Sequence, residues 1–127
     1  MRTLLGRVRS LPDIRSSDTA KAAYAERQAV NSVIQGTASD LIKYAMINVD
    51  RQLSTHWPAT HPAPRLLMQI HDELIYEVST VEDGQLVESF TTLLHRAMEE
   101  DVMQALHLTV PLIANIHSGA SWGDLDS

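Results

Sequence analysis

Between Thr19 and Leu53 the chain contains no proline and a single glycine, Gly36. A stretch of this kind, rich in alanine, commits the chain to helix, because the residues that break or loosen a helix are almost absent. Ser16, Ser17 and Asp18 offer N-caps, and the spacing predicts a helix from Thr19 to about Ile34. Gly36 interrupts it. Thr37-Ala38-Ser39-Asp40 then has the form of a capping box, with Asp where Glu or Gln is usual, and predicts a second helix reaching about Leu53. Leu41, Ala45 and Val49 mark its inward stripe, with Ile42 and Met46 beside them.

The flanks are shorter elements. Residues 3–10 place Gly6 between two extended-looking stretches, a small hairpin that Leu11-Pro12-Asp13 closes with turn chemistry. Residues 54–64 hold three prolines and two histidines without periodicity and form a loop inside one domain. Arg65 to Ile70 and Glu73 to Val78 favour strands on either side of His71-Asp72, a tight hairpin with a polar tip. Thr80 and Asp83 can cap a helix in which Leu86, Phe90, Leu93, Ala97 and Met98 recur at helical spacing as far as about Ala105. Leu108 to Ile116 predicts a strand that Pro111 confines to an edge or a bulge, and an irregular tail with Trp122 follows. Hairpin, two helices, hairpin, helix and strand make an α+β unit with an antiparallel sheet. The 127 residues, 44% of them hydrophobic, supply one core, so a single domain or part of one is expected.

Charge divides the chain. The formal net charge is -6, which disfavours a generic polyanion binder, yet residues 1–51 carry eight basic and five acidic side chains while residues 52–127 carry two and eleven. The two halves should face different partners. Without cysteine, disulfides, thiolate metal sites and cysteine nucleophiles are excluded. Neither a membrane span nor a signal peptide is visible, so a soluble intracellular protein with no membrane partner is expected.

Two groups of residues could carry chemistry. Asp72 and Glu73, beside His71 at a hairpin tip, concentrate negative charge that suits Mg²⁺, which needs only one or two carboxylates when substrate phosphates and water complete its shell. The same residues also suit a tip that is polar because it is exposed. Arg27, Asn31 and Gln35 recur every fourth residue along one side of a helix, over roughly 12 Å at 1.5 Å per residue. A cation and two amides can bind phosphate, sugar and minor-groove acceptors without reading a base. Opposite a face holding Ala23, Val30 and Ile34, the stripe is equally the wet side of an amphipathic helix. The six histidines include no HExxH motif and no helical i, i+4 pair, which disfavours a zinc hydrolase. No glycine-rich phosphate loop and no GxSxG elbow is present.

Gly6-Arg7 with Leu11-Pro12-Asp13-Ile14, then Ala25-Glu26-Arg27-Gln28-Ala29-Val30-Asn31, Gln35-Gly36-Thr37-Ala38-Ser39-Asp40 and Gln69-Ile70-His71-Asp72-Glu73-Leu74 together resemble the C-terminal part of family A DNA polymerases, nearly end to end. The tail Gly119-Ala120-Ser121-Trp122-Gly123-Asp124-Leu125, with Val33-Ile34, is similar to the theta and nu repair branch. The short loop at 54–64 lacks a theta-type insertion, so a nu-like or bacterial-type member stays open.

The resemblance implies that residues 1–127 are palm with adjoining helices, an antiparallel palm sheet with helices on one face. It makes Asp72 the metal-binding carboxylate, Glu73 its acidic neighbour and His71 a contact near the primer terminus. It also sets Arg27, Asn31 and Gln35 beside the duplex. The implied activity is addition of deoxynucleotides to a primer 3′ end, with Mg²⁺ as cofactor and primer–template DNA and deoxynucleoside triphosphates as partners. The family's other metal-binding aspartate and its nucleotide-holding fingers helix have no counterpart here. The chain alone is therefore expected to be inactive and to depend on the missing palm strand, fingers and thumb. A nucleus would follow from the theta and nu branch, and cytoplasm or nucleoid otherwise. The rival readings are a non-catalytic DNA-binding or partner module derived from the palm, and a metal-dependent phosphodiesterase using Asp72 and Glu73.

Overall fold

In the computed structural model, which describes residues 1–79 and 85–125, a 3₁₀ turn at Pro12–Arg15 precedes helix α1 (Thr19–His56). Strands β1 (Arg65–Ile70) and β2 (Glu73–Glu77) follow, then α2 (Gln85–His95), a π-helical turn at Arg96–Glu100, α3 (Asp101–Ala105) and a 3₁₀ turn at Trp122–Asp124. Two units are distinct, Met1–Tyr44 and Ala45–Ser127. The α+β class holds, with two antiparallel strands among the described residues.

The first unit opens with the expected hairpin. Arg2 bridges Val8, Thr3 N–H donates to Arg7 O at 2.9 Å, and Gly6 takes the left-handed φ of 85° that closes the turn. Asp18 is the residue that caps α1, its Oδ1 accepting from the N–H groups of Ala20 and Lys21 at 3.0 and 3.4 Å.

The expected break at Gly36 is absent, and α1 is one helix of 38 residues. Glycine inside a helix costs about 1 kcal/mol relative to alanine, too little to end a long helix that has other support. Gly36 is there for a different reason. A Cβ on it would lie 2.7 Å from Thr3 Cγ2, so only glycine lets the hairpin lie this close to the helix. The capping-box reading of residues 37–40 falls with the break, since all four are interior to α1.

The apolar face read at Ala23, Val30 and Ile34 is corrected too. Val30 and Ile34 are 65% and 69% exposed, and the buried positions along this part of α1 are the small residues Ala25 and Ser32 together with Asp40.

The second unit has an apolar core in which Val49 and Leu53 of α1 pack with Phe90, Leu94 and Ala97, bordered by Trp57, Tyr76 and Ile116. The ring of Phe90 meets Tyr76 edge-on at 5.1 Å and Trp57 at 6.2 Å between centroids. Trp57 Nε1 donates to Pro62 O at 3.1 Å, which ties down the proline-rich loop. That loop starts later than expected, because α1 continues through His56.

β1 and β2 pair from Ile70 with Glu73 to Arg65 with Glu77, with a bulge between Leu66 and Met68. The helix after them includes a π-helical turn whose Ala97 carbonyl accepts from Asn48 Nδ2 at 2.9 Å, and the same amide donates to Asp101 Oδ2 at 3.1 Å. The proposed caps Thr80 and Asp83 lie outside the described residues. At the end of α3, His107 takes φ 53°, with Leu108 N–H donating to Met103 O and His107 N–H to Gln104 O, a Schellman ending with histidine where glycine is usual.

The strand expected from Leu108 to Ile116 is not formed among the described residues. Leu112, Ala114 and Ile116 are half-buried while Ile113 and Asn115 are exposed, the alternation of a strand, but no described neighbour supplies a ladder. Alternation sets which side chains face in, whereas a strand also needs a second backbone in register.

Candidate functional site

The two residue groups singled out in the sequence fall in different units. In the second, His71 and Asp72 form the two-residue connection between β1 and β2, and Glu73 is the first residue of β2, opposite Ile70. All three are exposed. A two-residue hairpin turn needs positive φ at its first position, and His71 supplies it at 53°. Glycine would adopt that conformation without a steric penalty, whereas a residue with a Cβ carries strain on the order of 1 kcal/mol. Gln69 Nε2 donates to His71 O at 3.4 Å across the turn. Asp72 and Glu73 are thus consecutive carboxylates on a tight turn, held by paired backbone on both sides.

Among the described residues no three His, Asp or Glu side chains converge as a complete metal cage. Two adjacent, solvent-facing carboxylates nonetheless fit Mg²⁺, an ion that takes part of its oxygen shell from phosphates and water.

In the first unit Arg27, Asn31 and Gln35 are all exposed along α1, as the stripe requires. Arg27 carries its guanidinium 5.8 Å from the centre of the Tyr24 ring, a cation–π contact that limits where the charge can point. Arg27 and Asn31 line an open groove with Glu26 and Val30. Gln35 does not share that groove. It lines a separate cavity of about 220 Å³ between the N-terminal hairpin and α1, with Arg7, Arg9, Ser32 and Ser39. The stripe therefore divides between two concavities.

The residues missed in the sequence sit beside that cavity. Asp40 is buried, and its carboxylate accepts from the Thr3 hydroxyl and from Arg7 Nε at 2.8 Å, while Arg7 Nη2 donates to Gly36 O at 3.2 Å. Thr37 Oγ1 accepts from Leu4 N–H at 3.1 Å. The Thr3 hydrogen bond, then the Arg7 hydrogen bond and charge, hold the Asp40 carboxyl below its ordinary value despite the opposing effect of burial. This polar latch fixes the hairpin on the helix. Its signal in the sequence was Gly36 four residues before an acidic side chain that precedes the inward stripe beginning at Leu41, a pattern equally readable as a helix start.

Comparison with known proteins shows the family of the chain. Residues 1–124 match the profile of DNA polymerase family A. The chain is 43% identical over 127 residues to DNA polymerase I of Chloroflexus aurantiacus and 43% identical over 120 residues to that of Streptococcus pneumoniae, alignments covering 98% and 94% of this chain. In each case the chain spans only 12% of the relative's length. A solved structure, the POL domain of Pol1 from M. smegmatis in complex with DNA primer-template and dNTP, is similar with a TM-score of 0.61 and 43% identity, over 76% of this chain and 16% of that one. These relatives are bacterial and lend no support to the theta and nu branch or to the nuclear location it implied. No described helix is long and apolar enough to cross a membrane. With a family match over nearly its whole length, the chain belongs to DNA polymerase family A.

Proposed function

We propose that these residues form part of the palm and adjoining helices of a DNA-directed DNA polymerase that extends a primer 3′ end, acting in bacterial cytoplasm at the nucleoid in replication or repair. The observation that carries this reading is the pair of adjacent carboxylates, Asp72 and Glu73, presented on a two-residue turn between paired strands. In the reaction the primer 3′ oxygen forms a bond to the α-phosphorus of a deoxynucleoside triphosphate, the bond to the leaving oxygen breaks, and pyrophosphate departs. Bound Mg²⁺ would supply charge neutralisation at the attacking and leaving oxygens.

Asp72 is the residue proposed to ligate the metal, with Glu73 beside it. His71 is proposed to contact the primer terminus, and its left-handed backbone supports this, because a strained position held by histidine rather than glycine fits a side chain that is needed. Arg27, Asn31 and Gln35 are proposed to hold the primer–template duplex through phosphate, sugar and minor-groove contacts that position it without reading sequence. Two cations about 3.5–4 Å apart need more ligands than this turn carries, so a second carboxylate from outside these 127 residues is part of the proposal, and the 127-residue chain by itself is expected to be inactive.

The test is Asp72→Ala in the full gene product that carries this sequence. Incorporation should fall about a thousandfold or more, the equivalent of losing several kcal/mol of transition-state stabilisation, with primer–template binding largely intact. Near-normal single-turnover incorporation would reduce Asp72 to a turn residue and favour a non-catalytic module.

A further inference from the structure

The cavity between the N-terminal hairpin and α1 carries a charge that the latch does not consume. Arg7 and Arg9 both line it, and the buried carboxylate beside it, Asp40, is engaged at one oxygen by Thr3 and at the other by Arg7. Arg9 has no carboxylate partner among the described residues. Its Nη1 donates to the hydroxyl of Ser32, a residue only 5% exposed, so the guanidinium is anchored by a neutral group and keeps both its net charge and its remaining donors. Gln35 and Ser39 supply an amide and a hydroxyl to the same cavity. Among the described residues no acidic side chain lines it. A positioned guanidinium among neutral hydrogen-bonding groups is suited to a phosphate oxygen.

We propose that Arg9, anchored on Ser32 and held in place by the Thr3–Asp40–Arg7 latch, is a phosphate contact for the backbone of the bound DNA. The proposal rests on the duplex-binding reading of Arg27, Asn31 and Gln35, because Gln35 belongs both to that stripe and to this cavity. A phosphate could also come from a nucleoside triphosphate. The backbone is favoured because Gln35, the last residue of the stripe proposed to hold the duplex, itself lines this cavity, although the groove lined by Arg27 and Asn31 lies on a different face of α1.

Binding of primer–template DNA to the full gene product, measured without nucleotide across a potassium chloride series, tests this. Arg9→Gln, which removes charge but keeps donors for Ser32, should weaken binding and flatten the plot of log affinity against log salt by about one unit. Arg9→Lys should keep the wild-type slope. Ser32→Ala should weaken binding with little change of slope, because the charge remains and only its anchor is lost. Hydrogen exchange over residues 1–9 establishes that the hairpin stays seated in each variant. A wild-type slope for Arg9→Gln beside a flattened slope for Arg27→Ala overturns the proposal and leaves the stripe standing. The reverse pattern removes the stripe and keeps Arg9. A raised KM for nucleotide with unchanged DNA binding would assign the cavity to the triphosphate and overturn the backbone contact.

Discussion

The two units use the same helix in opposite ways. Along residues 25–40, α1 buries Ala25, Ser32 and Asp40, and the hairpin is seated there by hydrogen bonds and one ion pair, while large apolar residues such as Val8, Val30 and Ile34 are exposed. Along residues 45–53 it buries Ala45, Val49 and Leu53, and the last two pack into a core with Phe90 and Leu94. A polar seam depends on geometry and protonation, whereas an apolar seam depends on area and fit. The first unit should therefore respond to pH and to small steric changes, and the second to loss of volume.

The largest effect belongs to the apolar seam. Phe90→Ala should cost about 3–5 kcal/mol in the second unit, because it empties the centre of the Tyr76 and Trp57 contacts. Hydrogen exchange should quicken over residues 45–56 and 85–95 and remain unchanged over residues 1–9. Equal acceleration of the hairpin would show that the seams are not independent.

Gly36→Ala should be smaller and confined to the first unit. Helix propensity improves by about 1 kcal/mol, but the new methyl would stand 2.7 Å from Thr3 Cγ2, and overpacking of this kind costs about 1–3 kcal/mol. Net loss with a loosened hairpin is expected. A gain in thermal stability would mean that the hairpin yields freely and that the latch is weak.

The smallest and most local effect is acid sensitivity. The folded Asp40 carboxyl lies below its ordinary value of 3.8, so its contribution is fully present above that value and is lost as pH falls through the lower folded value. Exchange over residues 1–9 should quicken in that acid range in the wild type, and Asp40→Asn should show a loosened hairpin with no such step. The opposite sign is expected at Tyr76, which burial, with Asp50 adding, pushes up to about 12. The second unit should lose stability between pH 10 and 12, where the unfolded chain ionises first, and Tyr76→Phe should remove that loss.

Much of this was legible in the chain. The cap at Asp18, the hairpin around His71-Asp72 and the inward stripe through Ala45 and Val49 rest on local rules, since turn chemistry and periodicity act over a few residues. The carboxylate turn and the Arg27, Asn31, Gln35 stripe were placed by the same rules, and both are exposed as those rules require.

Gly36 and Asp40 were misread as the end and start of helices because their partners lie more than 30 residues away, at Thr3 and Arg7. The segment from Leu108 to Ile116 was misread for a related reason, since alternation is local and a backbone ladder is not. Local rules were enough for the N-terminal hairpin, the β1–β2 pair, the charge division and the carboxylate turn. Contacts across the fold settle that one helix runs unbroken through a glycine, that a buried aspartate latches the hairpin, and that Arg9 is anchored on a neutral hydroxyl. Each of those depends on which distant groups meet in space, and local spacing carries no record of that.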